Sequence, residues 1–185
     1  MLLVRMIPPA TALLLALLTS AALIVGAHLF EIIGHMAPCI LCLDQREAHW
    51  AAMVLASGAL VVGKISGSER AVAGGLGALA LIYFFSAGLA GYHTGVEWGW
   101  WEGPAGCASD TNAAVNALPG SREELLAQLS APGPAGPPCE EAAWRLFGIS
   151  MAGYNTLFSL GLALIAALGF RTAIRRWKRD QAAMA

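Results

Sequence analysis

Four long apolar segments constrain the fold of this chain more than any other feature of its sequence. Residues 10–30, 71–92 and 147–170 contain no Asp, Glu, Lys or Arg. Each segment is long enough for a helix that crosses about 30 Å of hydrocarbon at about 1.5 Å per residue. The remaining segment reaches that length only if its helix begins near Leu43, which gives a span over 43–63. We therefore predict an all-α membrane protein with a four-helix transmembrane bundle.

Composition and charge narrow the classes of function. Hydrophobic residues make up 57% of the 185 residues and charged residues 12%, whereas a soluble domain usually carries about twice that charged fraction. This excludes a water-soluble globule. The net charge of -1 leaves no basic face for phosphates, which excludes a nucleic-acid partner. The length predicts a single integral membrane domain over 1–185.

The placement of the basic residues predicts the orientation in the membrane. Most of them lie before the first span, between the second and third spans, and after the fourth: Arg5, Lys64, Arg70, Arg171, Arg175, Arg176, Lys178 and Arg179. By the positive-inside rule, both termini are cytoplasmic, and the loops 31–42 and 93–146 face the outer side. The first span is longer than the apolar core of about 7–15 residues in a signal peptide, which favours a retained helix. Tryptophans mark both predicted interfaces, with Trp98, Trp100, Trp101 and Trp144 outside and Trp177 inside.

The four cysteines occupy the two outer loops, so they share one oxidising compartment. Cys39 and Cys42 form a Cys-x-x-Cys motif, whose small ring makes it a poor structural staple and suits redox exchange better. Cys42 lies near the start of the second helix, where the macrodipole favours a thiolate. Arg46, four residues on, shares that helical face and should favour the thiolate further, or donate to an oxygen of a bound acceptor. Its alternative role is an interfacial anchor.

Other interpretations of the cysteines stay open. Cys107 and Cys139 are either a structural tether of the second outer loop or a mobile redox pair. All four cysteines, with His35 as a further ligand, are also compatible with zinc, although the wide spacing of the second pair disfavours it. A structural or metal-binding membrane protein is therefore the alternative to an enzyme, and we expect no metal.

The second outer loop carries two local signals. Ser121 and Glu124 have the form of a capping box ahead of an apolar stripe, which predicts a short helix on the membrane surface. Residues 131–138 are rich in Pro and Gly and predict an irregular arm. All four histidines fall near the outer boundary, and His93, at the end of the third span, is the best candidate to face a redox site.

A membrane dithiol that oxidises other thiols must dispose of two electrons for each disulfide made. The sequence contains no haem, flavin or nucleotide motif. A lipid-soluble quinone is then the most accessible acceptor for a thiolate at the bilayer edge, with Arg46 placed to stabilise a developing oxyanion.

Several motifs together resemble one family. Pro38-Cys-Ile-Leu-Cys42 is followed by Gln45-Arg46, the third span ends in Tyr92-His-Thr-Gly-Val-Glu-Trp-Gly99, and Cys139 leads into Trp144-Arg-Leu-Phe-Gly148. With four spans and Cys107, this combination resembles the bacterial disulfide bond formation protein B family, DsbB, over nearly the whole chain. The vitamin K epoxide reductase type is another four-helix Cys-x-x-Cys bundle, but its loop cysteines usually precede the active pair.

The resemblance implies a quinone reductase of the bacterial inner membrane, with periplasmic cysteines, that reoxidises DsbA, a soluble periplasmic thiol oxidase. The electrons pass to a membrane quinone, either ubiquinone or menaquinone. Cys39 and Cys42 match the quinone-proximal pair, with Cys42 as the thiolate that reacts with quinone. Cys107 matches the cysteine that DsbA attacks, and Cys139 its partner, which then engages Cys39. Arg46 and His93 match residues at the quinone.

This sequence departs from the family pattern at two places. The arm before Cys139 is long and rich in Pro and Ala, and Ala48 and His49 stand where many relatives have a proline and an aromatic residue. The first departure leaves the docking geometry of the thiol partner open.

Overall fold

The computed structural model describes residues 7–104, 107 and 138–184, and within these ranges it consists of four long helices and one short hairpin. The helices are α1 (Pro9–Ile32), α2 (Ile40–Ser66), α3 (Glu69–Glu97) and α4 (Met151–Met184). Each is long and apolar enough to cross a membrane. The prediction of an all-α, four-helix membrane protein is therefore confirmed. The connection between α3 and α4 lies largely outside the described residues.

Local sequence signals set the helix ends. Proline at the first position of α1 needs no hydrogen-bonded N–H, and Ser68 caps α3 by accepting from the Ala71 N–H at 3.2 Å. Gly67 ends α2 in the left-handed conformation, with φ of 63°. Cys39 caps α2, and its Sγ accepts from the Cys42 N–H at 3.2 Å. The Cys-x-x-Cys motif therefore forms the first turn of a helix.

The fourth helix begins later than the apolar segment 147–170. Phe147 and Gly148, with φ of 50° and 80°, form the turn between strands β1 (Arg145–Leu146) and β2 (Ile149–Ser150), which pair antiparallel. A residue with positive φ cannot continue a helix, so α4 starts at Met151. The predicted surface helix after Ser121 and all but the last residue of the arm 131–138 lie outside the described residues.

The core of the bundle is built from small side chains and a few large ones that fit between them. Leu76, Leu79 and Tyr83 of α3 are fully buried against alanines of the other helices. A Cβ on Gly75 would lie 2.7 Å from the Cβ of Ala59 on α2, so glycine is required for that close approach. Among the described residues, Gly74 and Gly88 face no neighbour.

Aromatic side chains gather at the two ends of the bundle. Trp98 and Trp100 pack edge to face at 4.9 Å, and Trp101 stacks on Tyr92 at 5.8 Å. At the opposite end, Arg70 lies 5.8 Å from the ring centre of Trp177. This arrangement is typical of helices whose ends lie at membrane interfaces.

Candidate active site

The four cysteines meet at one end of the bundle although they are far apart in sequence. Cys107 and Cys139 form a disulfide, and Cys39 and Cys42 are free, with their sulfur atoms 2.6 Å apart. Cys39, Cys107 and Cys139 are buried in one cluster with Leu41 and Val96, and Cys42 packs against it. The structure thus brings both predicted cysteine pairs to one place.

The environment of Cys39 disfavours a negative charge on that sulfur. Its hydrogen bond with the Cys42 sulfur and its burial both raise the pKa of the Cys39 thiol above its ordinary value. Cys42 is the more accessible of the two cysteines, and its sulfur lies in the first turn of α2, where backbone N–H groups stabilise an anion. A single negative charge on the pair is therefore more stable on Cys42 than on Cys39.

A cavity of about 440 Å³ opens beside the Cys39–Cys42 pair. Its walls are largely apolar and come from α1 and α4, with Leu23, Ala27 and Phe30 on one side and Met151 and Phe158 on the other. The polar part of its lining is contributed mostly by α2 and α3: Cys42, Gln45, Arg46, His49, His93 and Glu97. The site is therefore an apolar cleft between helices with a pair of free cysteines and a cation in its lining.

Arg46 lies in this cavity wall and is held by a partner from α1. Its Nη1 donates to Glu31 Oε2 at 2.6 Å, and the side chains are 14% and 35% exposed, respectively. The same carboxylate oxygen lies 3.5 Å from Nδ1 of His28. Glu31 was not among the predicted site residues. Its position one turn before the Cys-x-x-Cys loop was the available signal.

His93 contacts both cysteine pairs. Its Nε2 lies 3.7 Å from the Cys39 sulfur, and its ring has a hydrogen-bonding contact with the backbone of Cys139. The ligand atoms of Cys39, Cys42 and His93 all lie within 4.8 Å of one another, a donor set that fits a soft metal ion as well as redox chemistry. His35, considered above as a further zinc ligand, is exposed and is not part of this group.

A buried network of polar side chains continues from His93 into the bundle. Gln45 contacts His93 Nδ1 at 2.8 Å and Asn155 Nδ2 at 2.7 Å, and Asn155 contacts His49 Nε2 at 2.8 Å. Ser20 then joins His49 at 3.0 Å to Tyr83 at 2.8 Å. Apart from His93, the sequence analysis assigned no site role to these residues, although polar side chains within apolar spans are themselves a signal of function.

Glu97 is a second buried polar group that the sequence did not single out. Its side chain is 4% exposed, and Oε1 lies 3.9 Å from His93 Nε2. Its Oε2 has no hydrogen-bond partner among the described residues. A carboxylate thus stands on the side of His93 that faces away from Gln45.

The family model described as "Disulfide bond formation protein DsbB" matches residues 9–169. The chain belongs to the DsbB family. No curated protein and no solved structure shows a significant match.

Membership of the DsbB family gives the general activity. DsbB proteins are four-helix membrane oxidoreductases that act in disulfide bond formation, so this chain is a multi-pass membrane oxidoreductase of that class. The matched residues include the four cysteines, Arg46 and His93. The resemblance recognised from the motifs is therefore confirmed, and the roles of individual residues are taken up below.

Proposed function

We propose that this DsbB-family protein is a thiol:quinone oxidoreductase of the bacterial inner membrane, which reoxidises a periplasmic thiol oxidase of the DsbA type. One observation supports this most strongly. The two cysteine pairs meet in one cluster. An apolar cavity lined by Arg46 opens beside the Cys39–Cys42 pair and reaches Pro138, the residue before Cys139. Such an arrangement suits transfer of electrons from a soluble dithiol to a lipid-soluble acceptor.

The proposed thiol exchange starts at the Cys107–Cys139 disulfide. A thiolate of the reduced partner attacks Cys107 and releases Cys139 as a thiolate, and the partner's second thiolate then releases Cys107 as the partner becomes oxidised. Cys139 next attacks Cys39 of an oxidised Cys39–Cys42 pair and displaces Cys42 as a thiolate. Attack by Cys107 on Cys139 restores their disulfide and releases Cys39. The two electrons and two protons from the partner now reside on Cys39 and Cys42.

The cavity residues fit a quinone. Its apolar walls match a ring with an isoprenoid tail, the Arg46 guanidinium is a donor for a quinone oxygen, and Cys42 is the sulfur at the cavity. A bound quinone would accept the two electrons and two protons as quinol. In the protein, Arg46 stabilises negative charge on oxygen, and Cys42 carries the thiolate. Cys39 then closes the disulfide with Cys42.

The proposed orientation follows from the charges. Both termini are cytoplasmic and all four cysteines are periplasmic, because most of the basic residues lie at the end of the bundle opposite the cysteines. Membrane-impermeant thiol reagents should label Cys42 in intact spheroplasts. Labelling only after the membrane is opened would contradict this orientation.

The decisive experiment mixes the purified protein in lipid nanodiscs with a reduced DsbA-type oxidase and ubiquinone or menaquinone. We expect stoichiometric oxidation of the partner and disappearance of the quinone absorbance. The Cys42→Ser variant should stay folded and lose the activity completely. Failure of the wild-type protein with either quinone would contradict the proposal.

A metal-binding membrane protein is the second candidate, and the donor set of Cys39, Cys42 and His93 favours it. It predicts that zinc copurifies with the reduced protein and that a chelator lowers its thermal stability. The redox proposal predicts full activity after exhaustive treatment with chelator. Metal analysis of the same preparation separates the two functions.

A further inference from the structure

The hydrogen bonds of Gln45 define which way its amide points. Its Nε2 lies 3.0 Å from the backbone carbonyl of Leu41, one helical turn earlier. A carbonyl oxygen only accepts, so the atom that faces it must be the NH2 group. The amide oxygen then receives the Asn155 Nδ2 at 2.7 Å, which requires no further choice of orientation.

The donor and acceptor roles along the whole network follow from that one hydrogen bond between Gln45 and the Leu41 carbonyl. Because Asn155 donates through Nδ2, its Oδ1 accepts, from His49 Nε2 at 2.8 Å and from the Ser159 hydroxyl at 3.3 Å. His49 therefore carries its proton on Nε2, and its Nδ1 accepts from Ser20 at 3.0 Å. All donors along this path point towards His93.

The last hydrogen bond in the path determines which ring nitrogen of His93 carries the proton. The Gln45 NH2 group lies 2.8 Å from His93 Nδ1, so this ring nitrogen must accept. A ring with a proton on Nδ1 would place N–H against N–H. The neutral ring then carries its proton on Nε2, the nitrogen 3.7 Å from the Cys39 sulfur.

We propose that Gln45, Asn155 and His49 are positioning residues, which hold His93 as the Nε2–H tautomer and direct that N–H into the sulfur cluster, between the Cys39 sulfur at 3.7 Å and the backbone of Cys139. His93 is thereby a hydrogen-bond donor and not a base for the Cys39 thiol. Gln45 and His49 are 6% and 3% exposed, and Asn155 is partly buried in the cavity wall, so the bonds of Gln45 and His49 are well shielded from water.

The role of this donor rests on the proposed function. A thiolate forms on Cys39 whenever the exchange described above releases that sulfur, and the buried site around it disfavours the charge. An N–H fixed beforehand at His93 Nε2 stabilises the sulfur anion without reorganisation. A base at the same position would instead compete with the electron acceptor for the proton of the Cys39 thiol.

The tautomer is measured directly by nitrogen NMR of the reduced, full-length protein in nanodiscs, with 15N-labelled histidine and without quinone or partner. We expect His93 to show an unprotonated Nδ1 and a protonated Nε2 at neutral pH. The signal is assigned by its absence from a His93→Gln sample. A protonated Nδ1 in the wild-type protein would overturn the proposal.

Two variants test whether the network causes this state. Gln45→Glu replaces the donor to His93 by an oxygen, so we expect the proton to appear on Nδ1. Asn155→Asp places a carboxylate oxygen against the Gln45 oxygen, and this repulsion opposes the anchor at the Leu41 carbonyl and favours the flipped amide, so we expect a mixture of tautomers. The matched control Gln181→Glu makes the same glutamine-to-glutamate change at an exposed position of α4 and should leave the spectrum unchanged. A wild-type pattern in both network variants would overturn the proposal.

These outcomes are independent of the proposed activity. A correct tautomer with no quinone consumption would contradict the proposed function and leave the positioning role intact. Quinone consumption without the expected tautomer would mean that the protein is a quinone-linked enzyme in which other groups hold His93. Rescue also separates the roles, because Asn155→Gln keeps the donor amide and should restore more of the single-tautomer spectrum than Asn155→Asp.

Discussion

The hydroxyl of Tyr83 is a fully buried polar group between two helices, and its removal tests how much the buried network stabilises the fold. Tyr83 is 0% exposed. Because Ser20 donates its proton to His49, the Tyr83 hydroxyl shares its one proton between the Ala16 carbonyl at 3.0 Å and the Ser20 oxygen at 2.8 Å, and it ties α3 to α1 through both. Tyr83→Phe removes both contacts and little volume.

The expected cost follows from the membrane setting of these contacts. Apolar burial contributes little to helix association in lipid, so the hydrogen bonds dominate the difference between tyrosine and phenylalanine. Interhelical hydrogen bonds in membrane proteins contribute about 0.6 kcal/mol each on average and about 1.7 kcal/mol at most. One proton shared between two acceptors predicts a loss within that range, about 0.6–1.7 kcal/mol. Ser20 retains His49 as a partner, which prevents the larger penalty of an orphaned hydroxyl.

The assay is equilibrium unfolding in mixed micelles with increasing denaturing detergent. Two matched controls remove the same atom at the surface. The hydroxyls of Tyr92 and Tyr154 donate to the carbonyls of Glu102 and Leu146 at 3.0 and 3.1 Å, in exposed positions. Phenylalanine at either site should cost less than about 0.5 kcal/mol. If Tyr83→Phe costs no more than these controls, the buried network does not stabilise the bundle.

Three further predictions concern the site and its packing. Arg46→Ala should raise the quinone KM several-fold with little loss of stability, because its ion pair with Glu31 is partly exposed. Steady-state kinetics over a series of quinones measure this KM. An unchanged KM would mean that Arg46 is only an interfacial anchor. Cys139→Ser should trap a mixed disulfide between Cys107 and the reduced partner, visible on a non-reducing gel and absent when Cys107 is also replaced. Gly75→Ala should destabilise the bundle by about 1–3 kcal/mol, since its Cβ would lie 2.7 Å from that of Ala59, whereas Gly74→Ala next to it should not. Equal effects of the two alanines would refute that packing argument.

The sequence was sufficient for the helices and for the grouping of the sulfur atoms. Long runs of apolar residues indicate transmembrane helices directly, because in lipid the backbone N–H and C=O groups have no other hydrogen-bond partners. The alternation of the four helices then requires loops one and three to emerge at the same end, which places Cys39 and Cys139 near each other. Neither step needs any knowledge of side-chain packing.

Other parts of the site depend on contacts that no local pattern encodes. The Gln45–Asn155 bond joins residues 110 positions apart and exists only because α2 and α4 pack at one particular rotation. The Arg46–Glu31 pair depends in the same way on how α1 and α2 face each other. The start of α4 was misplaced because Phe147 is as apolar as the helix that follows, and its positive φ is invisible in hydropathy.

The last turn of α3 links the two sulfur pairs. His93 reaches Cys39 through Nε2 and the backbone of Cys139 through its ring, and Val96, one turn later, is buried in the cluster with Cys39, Cys107 and Cys139. His93 and Val96 both belong to α3, so one helix end borders both cysteine pairs. A change in the last turn of α3 should therefore alter the surroundings of both pairs at once, and the proposed exchange would take place beside this turn.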